Sequence, residues 1–317
     1  MVEVVRRWVR DLRIPIVGDL VRSLWGTMQI AREFAEDARG YVRSSGFRPL
    51  HRRDPEQFQR DITFSYHQIE KALTFPQPRR PFGARAQADL IAQLSSINPG
   101  DIESSVLRSA REANRALNAW NAHGRVDDSV APIRAAALGP QFDANEFFGS
   151  RHSCRNFDGQ RRVAHELVVD AARAAQSAPS VCNRQAGRIH YMATTERVQA
   201  ALALQNGNRG FGHSVAQLAV ITVDRRAFKN SLERNQRWID GGLFAMTFVW
   251  ALHAMGVATC MLNWSMGVRA TRALRDALGL SLHEDVICMV AFGHPAEGSR
   301  FARSARHNTD YVFIEHH

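Results

Sequence analysis

Lysine is nearly missing from this chain. Only Lys71 and Lys229 occur among 41 basic residues in 317, so 39 are arginine. A bias this uniform reflects genome composition, and the arginines are spread along the chain with no basic block. The formal net charge of +10 permits nucleic-acid or anionic-membrane binding. The nearest basic cluster, Arg79-Arg80 with Arg85, has no aromatic repeat beside it, so no nucleic-acid module is expected. Cysteine is scarce as well. Cys154, Cys182, Cys260 and Cys288 stand far apart, which excludes a CxxC and a zinc-ligand pattern, and no metal site is expected. Uncharged apolar runs of ~18 residues are absent, so no spanning helix is expected. The N-terminal apolar runs are cut by Arg10, Asp11, Arg13, Asp19 and Arg22, which argues against a signal peptide. The expectation is a cytoplasmic protein with reduced thiols.

What is present suits one large domain or two ordinary ones. In the first half, Val5, Trp8, Val9 and Leu12 form a helical stripe, and Leu20, Leu24 and Met28 continue it after a break at Pro15 and Gly18. Such a helix either lies on a membrane or partner or packs on its own protein, and the second reading is preferred. A helix over Asp61–Leu73 would set His67, Glu70 and Lys71 on one face. Those residues could be half a metal site, a proton-transfer pair or a surface ion-pair cluster, the last being commonest. Three prolines and a glycine between Pro76 and Arg85 end that helix. Residues 86–94 and 101–120 read as further helices, the second with Val106, Ala110, Ala113 and Leu117 on one side. Residues 121–145, with Gly124, Pro132, Gly139 and Pro140, read as a linker. The division is a helical N-terminal extension, 1–145, and a second domain, 146–317.

The second half opens on Arg151-His152-Ser153-Cys154-Arg155-Asn156-Phe157-Asp158, with three potential cations, a hydroxyl and an aromatic. Isolated, it is a solvated basic turn. A helix over His165–Gln176 leads into a polar turn, Ser177 to Gln185, and a strand, Arg188–Met192. The Gly-rich run 206–214 lacks the features of a P-loop or a dinucleotide fingerprint and reads as a flexible loop. Strands follow at 218–223, 259–264 and 286–292, with a helix at 270–278. Residues 240–256 are apolar around nearly the whole circumference, which means a helix buried on all sides, in a core or a subunit interface. A basic loop, Arg300 to Arg306, precedes a last short strand, Tyr311–Ile314. The order argues an α+β fold built around one sheet.

Four segments together resemble the FMN-dependent nitroreductase family. Arg151-His-Ser-Cys-Arg155 with Phe157-Asp158 resembles its N-terminal signature, and Ala178-Pro179-Ser180-x-x-Asn183-x-Gln185 its flavin-side turn. The apolar helix followed by Gly256-Val-Ala-Thr-Cys260 resembles its central dimer helix and next strand, and Gly293-His-Pro295 with Arg303, Ser304 and Arg306 its closing segment. The resemblance covers roughly residues 146–317. It implies a nitroreductase-like sheet flanked by helices, and a homodimer with FMN in the interface groove. It also implies ping-pong hydride transfer from NADH or NADPH through flavin N5 to an organic acceptor, a nitroaromatic, a quinone or something unrelated. On the same basis Arg151, Ser153 and Arg306, with Arg303 as substitute, would hold the phosphate, and Arg155 would sit by N1 and the C2 carbonyl as the catalytic residue. Pro179, Ser180, Asn183 and Gln185 would reach the flavin held mainly by the partner. Leu262, Asn263 and Trp264 would line the N5 side. His152 either donates to the phosphate end or fills the turn. Phe157 packs, and Cys154 points to the core. Ala186-Gly187 stands where the family often has Pro-Trp, which changes a contact near the flavin edge. His67-x-x-Glu70-Lys71 with Pro81-Phe-Gly83, and Gln236-x-x-Ile-Asp-Gly-Gly242, resemble a subgroup of long nitroreductases found beside polysaccharide-synthesis genes. Two alternatives from other classes stand beside the enzyme: a flavin-sequestering protein whose N-terminal helices cover the flavin, and a membrane-associated scaffold of polysaccharide assembly.

Overall fold

The computed structural model describes residues 15–45, 54–133, 143–302, 304 and 306–316. Helix α1 is Pro15–Ser45, α2 Pro55–Leu73, α3 Ala84–Ser95, α4 Ser104–His123, α5 Ala144–Ser150 and α6 His165–Ala175. Then come β1 (Gly187–Met192), α7 (Thr195–Ala203), β2 (Gln217–Asp224), α8 (Gln236–Ala254), β3 (Ala258–Asn263), α9 (Val268–Leu278), β4 (Glu284–Gly293) and the one-turn α10 (Thr309–Val312).

The strands form one antiparallel sheet in the order β1-β2-β4-β3. Central β2 is buried along its whole length, and its run Leu218-Ala-Val-Ile-Thr-Val223 is apolar or small throughout because both sheet faces are covered. Side-chain alternation divides the core in two. Leu218, Val220, Met289 and Ala291 face one side, with Phe157, Leu262 and the α7 residues Val198 and Leu202. Ala219, Ile221, Val290 and Phe292 face the other, against Val168 and Ala171 of α6 and Phe248, Val249 and Leu252 of α8.

The N-terminal helices have their own core of Ile62, Tyr66, Ile69, Leu90, Ala110, Ala113 and Leu117. Asp54 starts α2 through a capping box with Gln57, with Pro55 at the first helical position. Gly124, at φ 68°, ends α4 in the left-handed conformation. Polar contacts join this unit to the sheet. Arg60, paired with Asp61 through two 2.9 Å bonds, also donates to the carbonyls of Arg226 and Phe228. Lys229 lies 3.4 Å from Asp61. Tyr41 donates to the Asn230 carbonyl at 2.7 Å, and the Ser44 hydroxyl meets His283 Nδ1 at 2.9 Å. Glu33 accepts from the Val268 amide at 3.2 Å, placing an anion at the positive end of α9.

Gly40 is where α1 crosses the buried Arg225 guanidinium, which occupies the space a Cβ would need. Arg225 is tethered by Asp285 at 3.4 Å and by the carbonyls of Leu282 and His283, so it has little freedom to yield. Gly40→Ala is therefore expected to cost about 1–2 kcal/mol in urea unfolding, through forced repacking.

Several expectations need correction. Gly18 does not break the helix, since α1 starts at Pro15 and runs through it. Leu24 and Met28 do not pack on their own protein but are exposed, because α1 turns its Glu33, Gly40 and Ser44 side to the body. The stripe Val5, Trp8, Val9 and Leu12 lies outside the described residues. The core of the single chain covers only one side of helix α8, through Ala245, Phe248, Val249 and Leu252, and leaves Trp238, Ile239 and Leu243 on its outer face exposed. Helix α7 was not anticipated. Tyr311–Ile314 is no strand, since Thr309–Val312 forms a helical turn, and Ser153 and Cys154 already lie along β3. The Gly-rich run is packed by Phe211, which is buried against Leu202, Val215 and their neighbours.

Candidate functional site

The basic motif lies along β3, the sheet's edge strand. Ser153 forms a parallel bridge with Thr259, and the Cys154 amide donates to the Thr259 carbonyl at 2.8 Å. Phe157 bridges Pro295, and the Asp158 amide donates to the His294 carbonyl at 2.9 Å. Cys154 and Phe157 are buried as expected. With Cys154 turned inward, Ser153 and Arg155 point to the opposite side of the extended segment. Arg155 is exposed, and Arg151, His152 and Ser153 are half-buried. Among the described residues neither Arg151 nor Arg155 has an ion-pair partner. Their fields converge on Cys260 of β3. Burial pushes that thiol's pKa up, while Arg155, Arg151 and a hydrogen bond with Ser153 pull it down, and burial prevails.

His152 stacks on Phe301 with ring centroids 3.8 Å apart. Leu262 is buried, and Asn263 and Trp264 follow at the end of β3. Gln205 donates to the Asn263 carbonyl at 3.0 Å, and the Trp264 indole donates to Thr271 at 3.0 Å. Arg306 is exposed and donates to the Ser304 carbonyl. Arg303 lies outside the described residues.

Pro179, Ser180, Asn183 and Gln185 lie on the connection from α6 into β1. A helical turn, Val181–Asn183, carries positive φ at Cys182 (50°) and Asn183 (54°), and Gln185 follows at 47°. Three such non-glycine residues in one loop require a surrounding structure that holds them. Asp240 of α8 accepts from the Val181 amide at 3.1 Å and from Gln236 at 2.8 Å. Arg184 donates to the Val181 carbonyl at 3.0 Å and grips Glu233 through bonds of 3.0 and 2.8 Å. Burial raises the Asp240 pKa. Burial also works to raise that of Glu233, but Arg184 outweighs it and the net direction is down. Arg184 and Glu233 were not singled out from sequence, and Asp240 entered only within the run Gln236-x-x-Ile-Asp-Gly-Gly242, with no role at this turn. The available signal was the Gln236–Asp240 spacing of four at the head of an otherwise apolar helix.

Beside this turn lies a cleft of about 470 Å³, lined by Ala172, Gln176, Pro179, Ser180, Gln185 and Phe244 among others. The Phe244 ring rests on Gly187, where a Cβ would come within 2.5 Å of it. Helix α2 packs beside the same turn, and Glu56 lies 3.6 Å from Arg188.

The two halves of the expected site are not together in one chain. The 151–155 segment accompanies β3 and the Asn183 turn feeds β1, the strands at opposite edges of the sheet. Three strand spacings separate those edges by roughly 14 Å. His67 and Glu70 form a pair at 3.2 Å on the surface of α2, and among the described residues no cluster of three metal-ligating side chains exists.

The sequence profile of the nitroreductase family matches residues 149–209 and 192–294. No curated protein matches the chain. Among solved structures, it is similar to a protein assigned as a nitroreductase in complex with FMN from Desulfovibrio desulfuricans, with 20% identity and a TM-score of 0.47 over 57% of this chain and 98% of that one. An FMN-dependent nitroreductase from Clostridium difficile R20291 aligns at 18% identity and TM-score 0.45, over 54% and 96%. A nitroreductase with bound FMN from Desulfitobacterium hafniense DCB-2 aligns at 24% identity and TM-score 0.41, over 54% and 96%. Residues 149–294, which contain the four-stranded sheet and helices α6 to α9, belong to the nitroreductase family.

Proposed function

We propose that this chain is an FMN-dependent oxidoreductase that passes hydride from NADH or NADPH to an organic acceptor such as a nitroaromatic or a quinone. The observation that carries this reading is the placing of Arg151, Ser153 and Arg155 on one side of the extended segment along β3, with neither guanidinium paired to a carboxylate among the described residues. A phosphate dianion requires cations that no carboxylate has already claimed, and arginine matches its geometry. Arg151 and Ser153 would hold the phosphate. Arg155 would stand by the flavin ring, where a fixed positive charge favours the anionic reduced form. Bound FMN supplies the hydride-accepting ring, so no protein nucleophile is needed. The Asn183 amide has both a donor and an acceptor for the pyrimidine or ribityl edge, and Asp240, Arg184 and Glu233 orient the turn that presents it.

One chain holds the two half-sites at opposite sheet edges, so the reading requires a second copy. A two-fold dimer would bring the Asn183 turn of one copy to the arginines of the other. The exposed apolar face of α8, with Trp238, Ile239 and Leu243, suits that role. The long helical extension and its His67-x-x-Glu70-Lys71 run support a place among the long nitroreductases found beside polysaccharide-synthesis genes. A cytoplasmic location goes with this proposal; no described helix is long and apolar enough to cross a membrane.

The test is the absorption spectrum of the purified protein, identification of the released flavin, and anaerobic bleaching by NADH or NADPH. A flavin that neither donor bleaches would overturn the reductase reading. It would favour flavin storage instead, which the packing of α2 beside the Asn183 turn supports. Arg306→Ala is expected to weaken FMN binding by about 1.5–3 kcal/mol, the loss of one charge-assisted contact, as measured by fluorescence titration. Unchanged affinity would reassign that contact to Arg303.

A further inference from the structure

Helix α1 carries a second pattern that its contacts with the body do not use. Leu24, Met28, Ala31, Ala35, Ala38 and Val42 recur at alternating spacings of four and three, the repeat of a helix-to-helix seam. Leu24, Met28 and Val42 are 58%, 70% and 68% exposed, and Phe34 beside them is 71% exposed. The opposite side of α1 meets the protein through Glu33, Gly40 and Ser44. The seam therefore faces away from the described body of the chain that carries it. No charged residue occupies any of its six positions.

We propose that α1 pairs with α1 of a second copy, in parallel, along this seam. The repeat calls for a helix, since a lipid surface places no demand on 3.5-residue periodicity. The large side chains leave roughly 500 Å² of apolar surface, a size at which a patch is commonly an interaction site. It is also more than half of the about 800 Å² that each partner contributes to a stable interface. Three alanines in the middle let two helices approach closely, with Met28 and Val42 as the bulky layers.

The flanks choose the orientation. Arg32 and Arg39 border one side of the seam, and Thr27 and Phe34 the other. An antiparallel pair would set arginine against arginine. A parallel pair sets each Arg39 against the partner's Phe34, an arginine over an aromatic face, and each Arg32 against the partner's Thr27. This inference does not depend on flavin chemistry and stands or falls separately from it.

The experiment uses the full chain with Met28→Cys, Ala35→Cys or Val42→Cys, each oxidised mildly and weighed without reductant. In a parallel pair each of these positions faces itself at roughly 6 Å, within disulfide reach. The unsubstituted protein sets the background, and its Cys154, Cys260 and Cys288 are buried. All three variants are expected to give several-fold more covalent dimer than that background, and Gln29→Cys, off the seam, is not. Background-level dimer at all three positions would overturn the proposal. So would dimer at one position only, which marks an antiparallel crossing, or equal dimer from Gln29→Cys, which marks random collision. Sedimentation with anionic vesicles that Met28→Glu abolishes, without any seam cross-link, would assign the face to lipid instead.

Discussion

Arg184→Ala is expected to destabilise the protein by about 3 kcal/mol, near the lower end of the range for breaking a buried ion pair. The side chain is 1% exposed, and it makes two bonds to Glu233, one to the Val181 carbonyl and a cation–π approach to Phe228. Truncation leaves Glu233 without its guanidinium in a partly buried place, which also removes what holds its pKa down. Access of water to Glu233, 21% exposed, keeps the cost from the upper end. Urea unfolding measures it. The same variant should bind FMN more weakly, because the turn bearing Asn183 loses a clamp. Full stability would mean that Asp240 alone holds the turn.

The second large effect is kinetic. Arg155→Ala is expected to slow flavin reduction by NADH or NADPH on the order of 10²–10³-fold, the scale found when one fixed donor to a developing charge is removed. FMN affinity should change less than in Arg306→Ala. Arg155 is exposed and lacks an ion-pair partner among the described residues, so its loss should not disturb the fold. Rapid-mixing measurements of bleaching, with the flavin reduction potential, provide the readout. An unchanged potential and an unchanged rate would remove Arg155 from the ring and leave it at the phosphate.

Much of the second half was legible because its signals are local. The central strands β2 and β4 announce themselves as apolar runs, and the inward turn of Cys154 follows from alternation in an extended segment, whereas Phe157, three residues on, is buried against that alternation. Helix α7 escaped because it is nine residues long and buries only Val198, Ala201 and Leu202. The tail was misread because Tyr311–Ile314 has strand-forming side chains but no described strand to pair with. The clamp on the Asn183 turn was also hidden. Its members, Arg184, Glu233 and Asp240, lie up to 56 residues apart, and nothing in their spacing announces that they meet.

The sequence by itself determined the fold class, the run of motifs and the inward turn of Cys154, since periodicity and short-range chemistry reside in neighbouring residues. Only the tertiary structure decided where those motifs go. Antiparallel pairing in the order β1-β2-β4-β3 sends the arginine segment and the Asn183 turn to opposite edges of the sheet. It also leaves the outer faces of α1 and α8 open, because the body needs only one side of each helix to close its core.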